Sequence, residues 1–235
     1  MAKYLCSDVF GDENRLREIL KKSGFNWDND ILIILGNAGL TLLLGYLRPF
    51  IDAGRCIVLL GSQEYKRLRY AKGTLPKNPF STDGNHDLDL IDEMSSEERT
   101  ELVAFLESLP VYLELETPKF GKALLSHSGY VDEKRLVYND NGTINTVASI
   151  DKCIADNLGG YVIANYECLM NKTRVLLDRF IIFGHVSTIE QYDGTEAESI
   201  YRGRNCMNVN TGNDIRNMGG KLALYCLDTD EEWYV

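Results

Sequence analysis

Short apolar runs alternate with amphipathic stretches along the first third of the chain. Lys3–Cys6, Ile31–Leu35 and Ile57–Leu60 read as strands, and the unbroken Ile31–Leu35 run predicts a central strand buried on both faces. Between the first two strands, Glu13–Lys22 sets Leu16, Ile19 and Leu20 on one helical face and stops at Gly24. A second helix is predicted over Leu40–Ala53 from Leu43, Leu44 and Leu47, with Pro49 bending or shortening it. A more polar helix follows over Gln63–Ala71.

The pattern then changes. Residues 73–94, with Pro76, Pro79 and Gly84, read as loop. Ser95-Ser96-Glu97-Glu98 reads as a capping box opening a helix that runs to Ser108 and ends at Pro110. Val111–Glu116 and Phe120–Ser126 predict a strand pair around Pro118, and Asn139–Gly142 a turn. Helices are predicted over Ala148–Asn157 and Tyr161–Met170. The last quarter reads as strands at Phe180–Phe183, Thr188–Tyr192, Met207–Asn210, Lys221–Leu227 and Glu232–Val235. No repeat or linker interrupts this order, so one α/β domain over residues 1–235 is expected.

Composition narrows the function. A net charge of -10 argues against nucleic acid and anionic membranes as partners, since both need a basic face. Lys66, Arg67 and Arg69 form a basic cluster too short to change this, and it reads as a solvated helix face. No apolar run reaches the roughly 20 residues of a membrane span. The start, MAKYLCSDVFG, enters a strand without an apolar leader, which predicts a cytoplasmic protein. The six cysteines form no CxxC pair and read as reduced thiols, with Cys6, Cys56 and Cys226 in apolar strands.

The predicted strands end in polar turns, which is how an α/β protein assembles a site from distant sequence. In order these are SDVFG at Ser7–Gly11, GNAGLTL at Gly36–Leu42, GSQE at Gly61–Glu64, HSG at His127–Gly129, GH at Gly184–His185 and NTG at Asn210–Gly212. The series, running from Lys3 to about Asp228, resembles the calcineurin-like metallophosphoesterases. Within them it is most similar to the branch of serine/threonine protein phosphatases and bacterial diadenosine-tetraphosphatase-type enzymes. That family reads GDxHG, GDxxDRG, GNHE, HxG, GH and DTG, and the resemblance implies a four-layer α/β/β/α sandwich.

The resemblance also implies a chemistry, and several residues depart from it. The family's two divalent metals sit about 3.5–4 Å apart, activate a water and clamp the phosphate. Asp8, His127 and His185 match its ligands. Phe10 stands for the first histidine, Asn37 for the bridging aspartate, Ser62 for the asparagine, Gln63 for the general acid and Thr41 for the phosphate-gripping arginine. Two such dications repel by on the order of 15–20 kcal/mol even at an effective dielectric near 20. A neutral Asn37 cannot offset that as a shared carboxylate does.

The resemblance therefore predicts a phosphatase-like protein with a degraded dinuclear centre and little or no phosphoesterase activity. Such a protein would act as a binding or regulatory module for a phosphorylated small molecule or a protein. The alternative is an active phosphoesterase with one metal ion, manganese, zinc or iron, held by Asp8, His127 and His185, with Asn37 as a further candidate ligand. Both readings argue against a two-metal centre. Simpler roles stay open at this point: Asp8 as a helix cap or an acceptor for turn N–H groups, and the two histidines as buried relics. The third histidine lies in Gly84-Asn85-His86-Asp87, a literal match to GNHD/E that comes about 22 residues late and reads as a surface turn, though His86 could serve as a substitute acid. Arg174, Arg179, Arg202 and Arg204 are candidate phosphate-binding cations that no motif separates.

Overall fold

The computed structural model describes residues 1–76, 85–129, 132–163, 176–191 and 199–235. Two five-stranded mixed sheets, flanked by helices, carry the fold. In the first, β1 (Lys3–Cys6) pairs in parallel with β2 (Ile31–Ile34), which pairs in parallel with β3 (Cys56–Val58). The connections are right for parallel strands, each containing helix: α1 (Glu13–Ser23), then α2 (Leu40–Leu44) and α3 (Arg48–Asp52). After β3 come α4 (Ser62–Ala71), α5 (Asn85–Glu93) and α6 (Ser96–Ser108). The second sheet opens with the antiparallel pair β4 (Tyr112–Thr117) and β5 (Gly121–Ser126). Helix α7 (Thr146–Val162) leads to β6 (Phe180–Phe183), parallel to β5. A short α8 (Thr188–Gln191), β7 (Tyr201–Arg202) and β8 (Cys206–Asn208) follow. The chain returns to the first sheet in β9 (Ala223–Cys226) and β10 (Glu232–Tyr234). The strand orders are β10-β9-β1-β2-β3 and β4-β5-β6-β8-β7.

Side-chain alternation explains the layering. Leu5, Ile33 and Leu35 from the first sheet share one buried cluster with Ala123, Leu125, Ile182 and Met207 from the second. Their neighbours of opposite parity, Cys6, Leu32, Ile34, Leu124, Ile181 and Phe183, pack instead with helix residues such as Leu16, Ile19 and Leu68. Both faces of each sheet are therefore covered, as the apolar Ile31–Leu35 run predicted, and the four-layer arrangement follows. Among the described residues, no helix is long and apolar enough to cross a membrane. Cys6, Cys56, Cys153, Cys206 and Cys226 are buried, as expected, and form no disulfide; Cys168 lies outside the described residues.

Several predicted elements need correction. The expected Leu40–Ala53 helix is two five-residue helices broken around Gly45, and Pro49 sits in the first turn of the second, where its missing N–H costs nothing. Asn85–Glu93 is helix rather than loop, because Leu88 and Ile91, three apart, are 2% and 0% exposed and anchor one face. Asn85, His86 and Asp87 of the GNHD segment thus open α5 and do not form a surface turn, while Gly84 and the side chain of His86 lie outside the description. Thr188–Tyr192 was expected to be a strand, but Thr188–Gln191 is helical. Ser187 and Glu190 form a capping box there: Glu190 N donates to Ser187 Oγ at 3.3 Å and Ser187 N to Glu190 Oε2 at 3.4 Å. Helix α7 contains the helix expected over Ala148–Asn157 and, past a kink at Asn157 (φ -161°), the first two residues of the one expected over Tyr161–Met170; residues 164–170 lie outside the described residues.

Candidate functional site

The turns after β1, β2, β3, β5 and β6 meet at one end of the two sheets, and the chain bends sharply in each. Asp8, Phe10, Asn37 and His185 all take left-handed φ values, 54°, 52°, 54° and 70°, in a region costly for residues with a side chain. The turns lock together through the backbone. Asp8 N donates to Gly36 O at 3.1 Å, Phe10 N to Asn37 O at 2.8 Å, and Gly184 N to His127 O at 2.9 Å. The approach is close enough to require glycine: a Cβ on Gly184 would overlap Ser7 Oγ, and one on Gly61 would lie 2.6 Å from Asn37 N.

Asp8 is wholly buried and does not cap α1, a role taken by Asp12, whose Oδ1 accepts from Arg15 N at 3.1 Å. Instead Asp8 accepts three hydrogen bonds, from Ser7 Oγ (2.5 Å) and His185 N (3.0 Å) on Oδ2 and from Asn37 Nδ2 (2.8 Å) on Oδ1. Burial pushes its carboxyl up to about 7, against the pull of these donors and of His185 toward the charged form.

Asn37 is held from both ends. Its Oδ1 accepts from Gln63 N at 2.8 Å and Ser62 Oγ at 3.2 Å, while its Nδ2 donates to Asp8. A backbone N–H can only donate and a carboxylate only accept, so the amide orientation is fixed. Asn37 therefore turns an N–H, not a lone pair, toward Asp8. Glu64, wholly buried, ties the turns after β2 and β3 by accepting from Asn37 N (2.8 Å), Ala38 N (2.9 Å) and Gly61 N (3.1 Å). Gln63 is engaged by Arg67 Nη1 at 2.7 Å, and Arg67 is in turn paired with Asp87 of α5 at 2.6 Å. Arg67 is 5% exposed, so the expected solvated face of Lys66, Arg67 and Arg69 does not include it. Asp87 also accepts from Leu40 N at 3.1 Å. Thr41 is exposed on α2, and Phe10 is 38% exposed.

His127 and His185 stand side by side, ring centroids 4.7 Å apart and planes tilted by 58°. His127 Nδ1 is 2.7 Å from Leu35 O; the carbonyl can only accept, so Nδ1 carries the proton and Nε2 a lone pair. His185 Nε2 faces Ile163 O at 3.4 Å, which leaves the lone pair on Nδ1. His127 Nε2 and His185 Nδ1 are both buried with no partner among the described atoms. Burial lowers both imidazoles to about 4, and each is neutral at physiological pH. The NTG turn steadies this corner: Asn210 Nδ2 donates to His185 O at 2.9 Å.

No protein-family model matches the sequence, and no curated protein matches it. Solved structures do. A candidate diadenosine tetraphosphatase superposes with a TM-score of 0.57 at 13% identity, over 100% of this chain and 92% of its own. A protein serine/threonine phosphatase from Saccharomyces cerevisiae gives 0.57 at 13% identity, over 97% of this chain and 73% of its own. The chain has the metallophosphoesterase fold.

A metallophosphoesterase fold implies a metal centre, and the donors present can be tested against it. The lone pairs on His127 Nε2 and His185 Nδ1 have no partner among the described atoms. Among the described residues no group of three His, Cys, Asp or Glu side chains is arranged to hold a metal ion, whereas catalytic zinc sites use three protein ligands. Asn37 presents a donor, Asp8 is occupied by three donors, and Phe10 offers no lone pair. These residues do not fit the dinuclear centre. Of the candidate cations, Arg179 is paired with Asp178 and Glu114, and Arg202 with Asp230 and Glu232. Arg204 sits in the turn between β7 and β8, and Arg174 lies outside the described residues.

Sequence reasoning missed two residues of this network, Glu64 and Arg67. A signal for each existed. Glu64 closes the GSQE turn, three residues after the Gly61 whose N–H it binds. Arg67 stands four residues after Gln63, one helical turn away.

Proposed function

We propose that this chain is a phosphatase-like protein without two-metal hydrolysis, acting as a binding or regulatory module. One observation carries the reading: the Asn37 amide, fixed by Gln63 N and Asp8, places an N–H where a shared metal ligand needs a lone pair. The surrounding substitutions support it. Ser62 and Gln63 serve as partners of Asn37, and Gln63 is tied back to Arg67, so the positions that would handle metal and leaving group form a closed hydrogen-bond network. A neutral glutamine also makes a poor general acid.

Donor and acceptor chemistry favours a protein over a phosphorylated small molecule as the ligand. A phosphate dianion accepts hydrogen bonds, and the unpartnered atoms here, His127 Nε2 and His185 Nδ1, are acceptors too. Phe10, by contrast, sets an exposed apolar ring on the same turn as Asp8, a feature suited to a protein contact.

The test is metal content and turnover together. Purified protein is incubated with manganese, zinc or iron, desalted and analysed by elemental analysis, and its activity on an aryl phosphate is measured. The expected result is no turnover and no more than one equivalent of metal. Turnover that disappears in His127→Ala would overturn the reading. It would establish the single-metal phosphoesterase that the two unpartnered imidazole nitrogens otherwise favour. Two bound equivalents would refute the argument from Asn37.

A further inference from the structure

A concavity lies among α4, α6 and α7, and neither histidine of the candidate site lines it. It has a volume of about 420 Å³, walled by Leu60, Leu106, Val111 and Leu158, with Tyr65, Arg69, Lys72 and Glu107 also on its lining. This volume falls within the roughly 300–1,000 Å³ of small-molecule sites, and an apolar wall with a few polar groups is their usual composition.

Charge decides the occupant. Lys72 Nζ is paired with Glu107, so these two groups cancel. Arg69 Nη2 donates to the backbone carbonyl of Thr74 at 2.8 Å, and among the described residues it meets no carboxylate. In a chain of net charge -10 this leaves one uncompensated guanidinium beside an apolar hollow. A guanidinium offers five N–H donors in a planar fork, most of them still open here, and matches a carboxylate or phosphate. Tyr65 lies on the same lining, and its ring packs close against Gly159, where an added Cβ would come within 2.9 Å of it.

We propose that this pocket binds a small amphiphile with one anionic headgroup, the headgroup on Arg69 and the apolar body against Leu60, Leu106, Val111 and Leu158. Arg69 and Tyr65 belong to α4, whose first turn carries Ser62, Gln63 and Glu64 of the candidate site. The pocket and that site therefore share one rigid element, but the binding proposal does not depend on the site's function.

The experiment is isothermal titration of the full chain with decanoate, decyl phosphate and decanol, each below its aggregation concentration, in three proteins: unaltered, Arg69→Gln and Leu158→Trp. Arg69 is partly exposed, so the first variant should fold normally; the second fills the hollow, and its far-ultraviolet circular dichroism checks its fold. One saturable site is expected for at least one anion. Arg69→Gln should weaken that anion about tenfold and leave decanol unchanged, and Leu158→Trp should abolish binding. The tighter of the two anions identifies the headgroup as carboxylate or phosphate. Absence of saturable anion binding, or anion affinity equal in the unaltered and Arg69→Gln proteins, would overturn the proposal.

Discussion

Glu64 is the residue on which the geometry of the candidate site most depends, and its replacement gives a quantitative test. Its carboxylate is wholly buried and accepts three backbone N–H groups: two on Oε2, from Asn37 at 2.8 Å and Gly61 at 3.1 Å, and one on Oε1, from Ala38 at 2.9 Å. Hydrogen bonds to a charged group contribute about 1.5–3 kcal/mol each, and a stranded buried donor costs about 1–3 kcal/mol. Glu64→Ala strands all three and leaves a cavity, so a loss on the order of 4–8 kcal/mol is expected, comparable with the whole stability of many domains. Glu64→Gln keeps the shape. Its amide oxygen can retain one side of the arrangement, but its NH2 must then face a backbone N–H on the other. The expected cost is about 2–4 kcal/mol.

Urea unfolding followed by far-ultraviolet circular dichroism would measure both variants, with the linear-extrapolation slope checked for constancy. If Glu64→Gln stays within about 0.5 kcal/mol of the unaltered protein, the turns after β2 and β3 do not rely on that carboxylate, and the reasoning fails.

The histidine pair should make stability depend on pH. His127 and His185 have folded values near 4 against 6.5 unfolded, so the unfolded chain takes up their protons first and stability is lost as pH falls from about 6.5 toward 4. Asp8, raised to about 7, acts in the opposite sense: its contribution is present at low pH and lost as pH rises toward 7. The two histidines outweigh the one carboxylate, so stability should fall by on the order of 1 kcal/mol per pH unit as pH drops from about 6.5 toward 4, and His127→Gln should flatten the profile of urea midpoints; parallel profiles would exclude the mechanism. Asn37→Asp sets a second carboxylate against Asp8 in place of a 2.8 Å hydrogen bond. It should destabilise the metal-free protein at pH 8 by about 2–4 kcal/mol and make its melting temperature rise with added manganese, whereas an unchanged manganese response would count against this placement of Asn37. Gly184→Ala drives a methyl into Ser7 Oγ and toward Asp8 Oδ2, with an expected loss of about 1–3 kcal/mol by thermal unfolding; a neutral result would mean that the turn after β6 can shift.

What the sequence revealed and what it hid have a common physical cause. The central strands were legible because Ile31–Leu35 and Phe180–Phe183 are buried on both faces, and that demand is written in every residue of the run. That Asp8, Asn37, His127 and His185 gather at one end of the sheets was legible because each follows such a strand. Helix α8 was hidden because it is four residues long and its apolar content suits either period; the capping box of Ser187 and Glu190 was the better signal. Helix α5 was hidden behind Pro76, Pro79 and Gly84, although Leu88 and Ile91 already marked one face. Hardest to read was the logic of the site. Each substitution considered alone looks like a loss: a glutamine for an acid, a serine for a ligand, an asparagine for a bridging carboxylate. In the fold, Ser62, Gln63 and Arg67 complete the hydrogen bonding around Asn37, and Asn37 completes that around Asp8. Charge repulsion between two dications would require a carboxylate at this position, whereas in the proposed metal-free site an amide satisfies both neighbours. The substitutions therefore form one coupled set, and restoring Asn37→Asp alone should cost stability until its partners or a metal return.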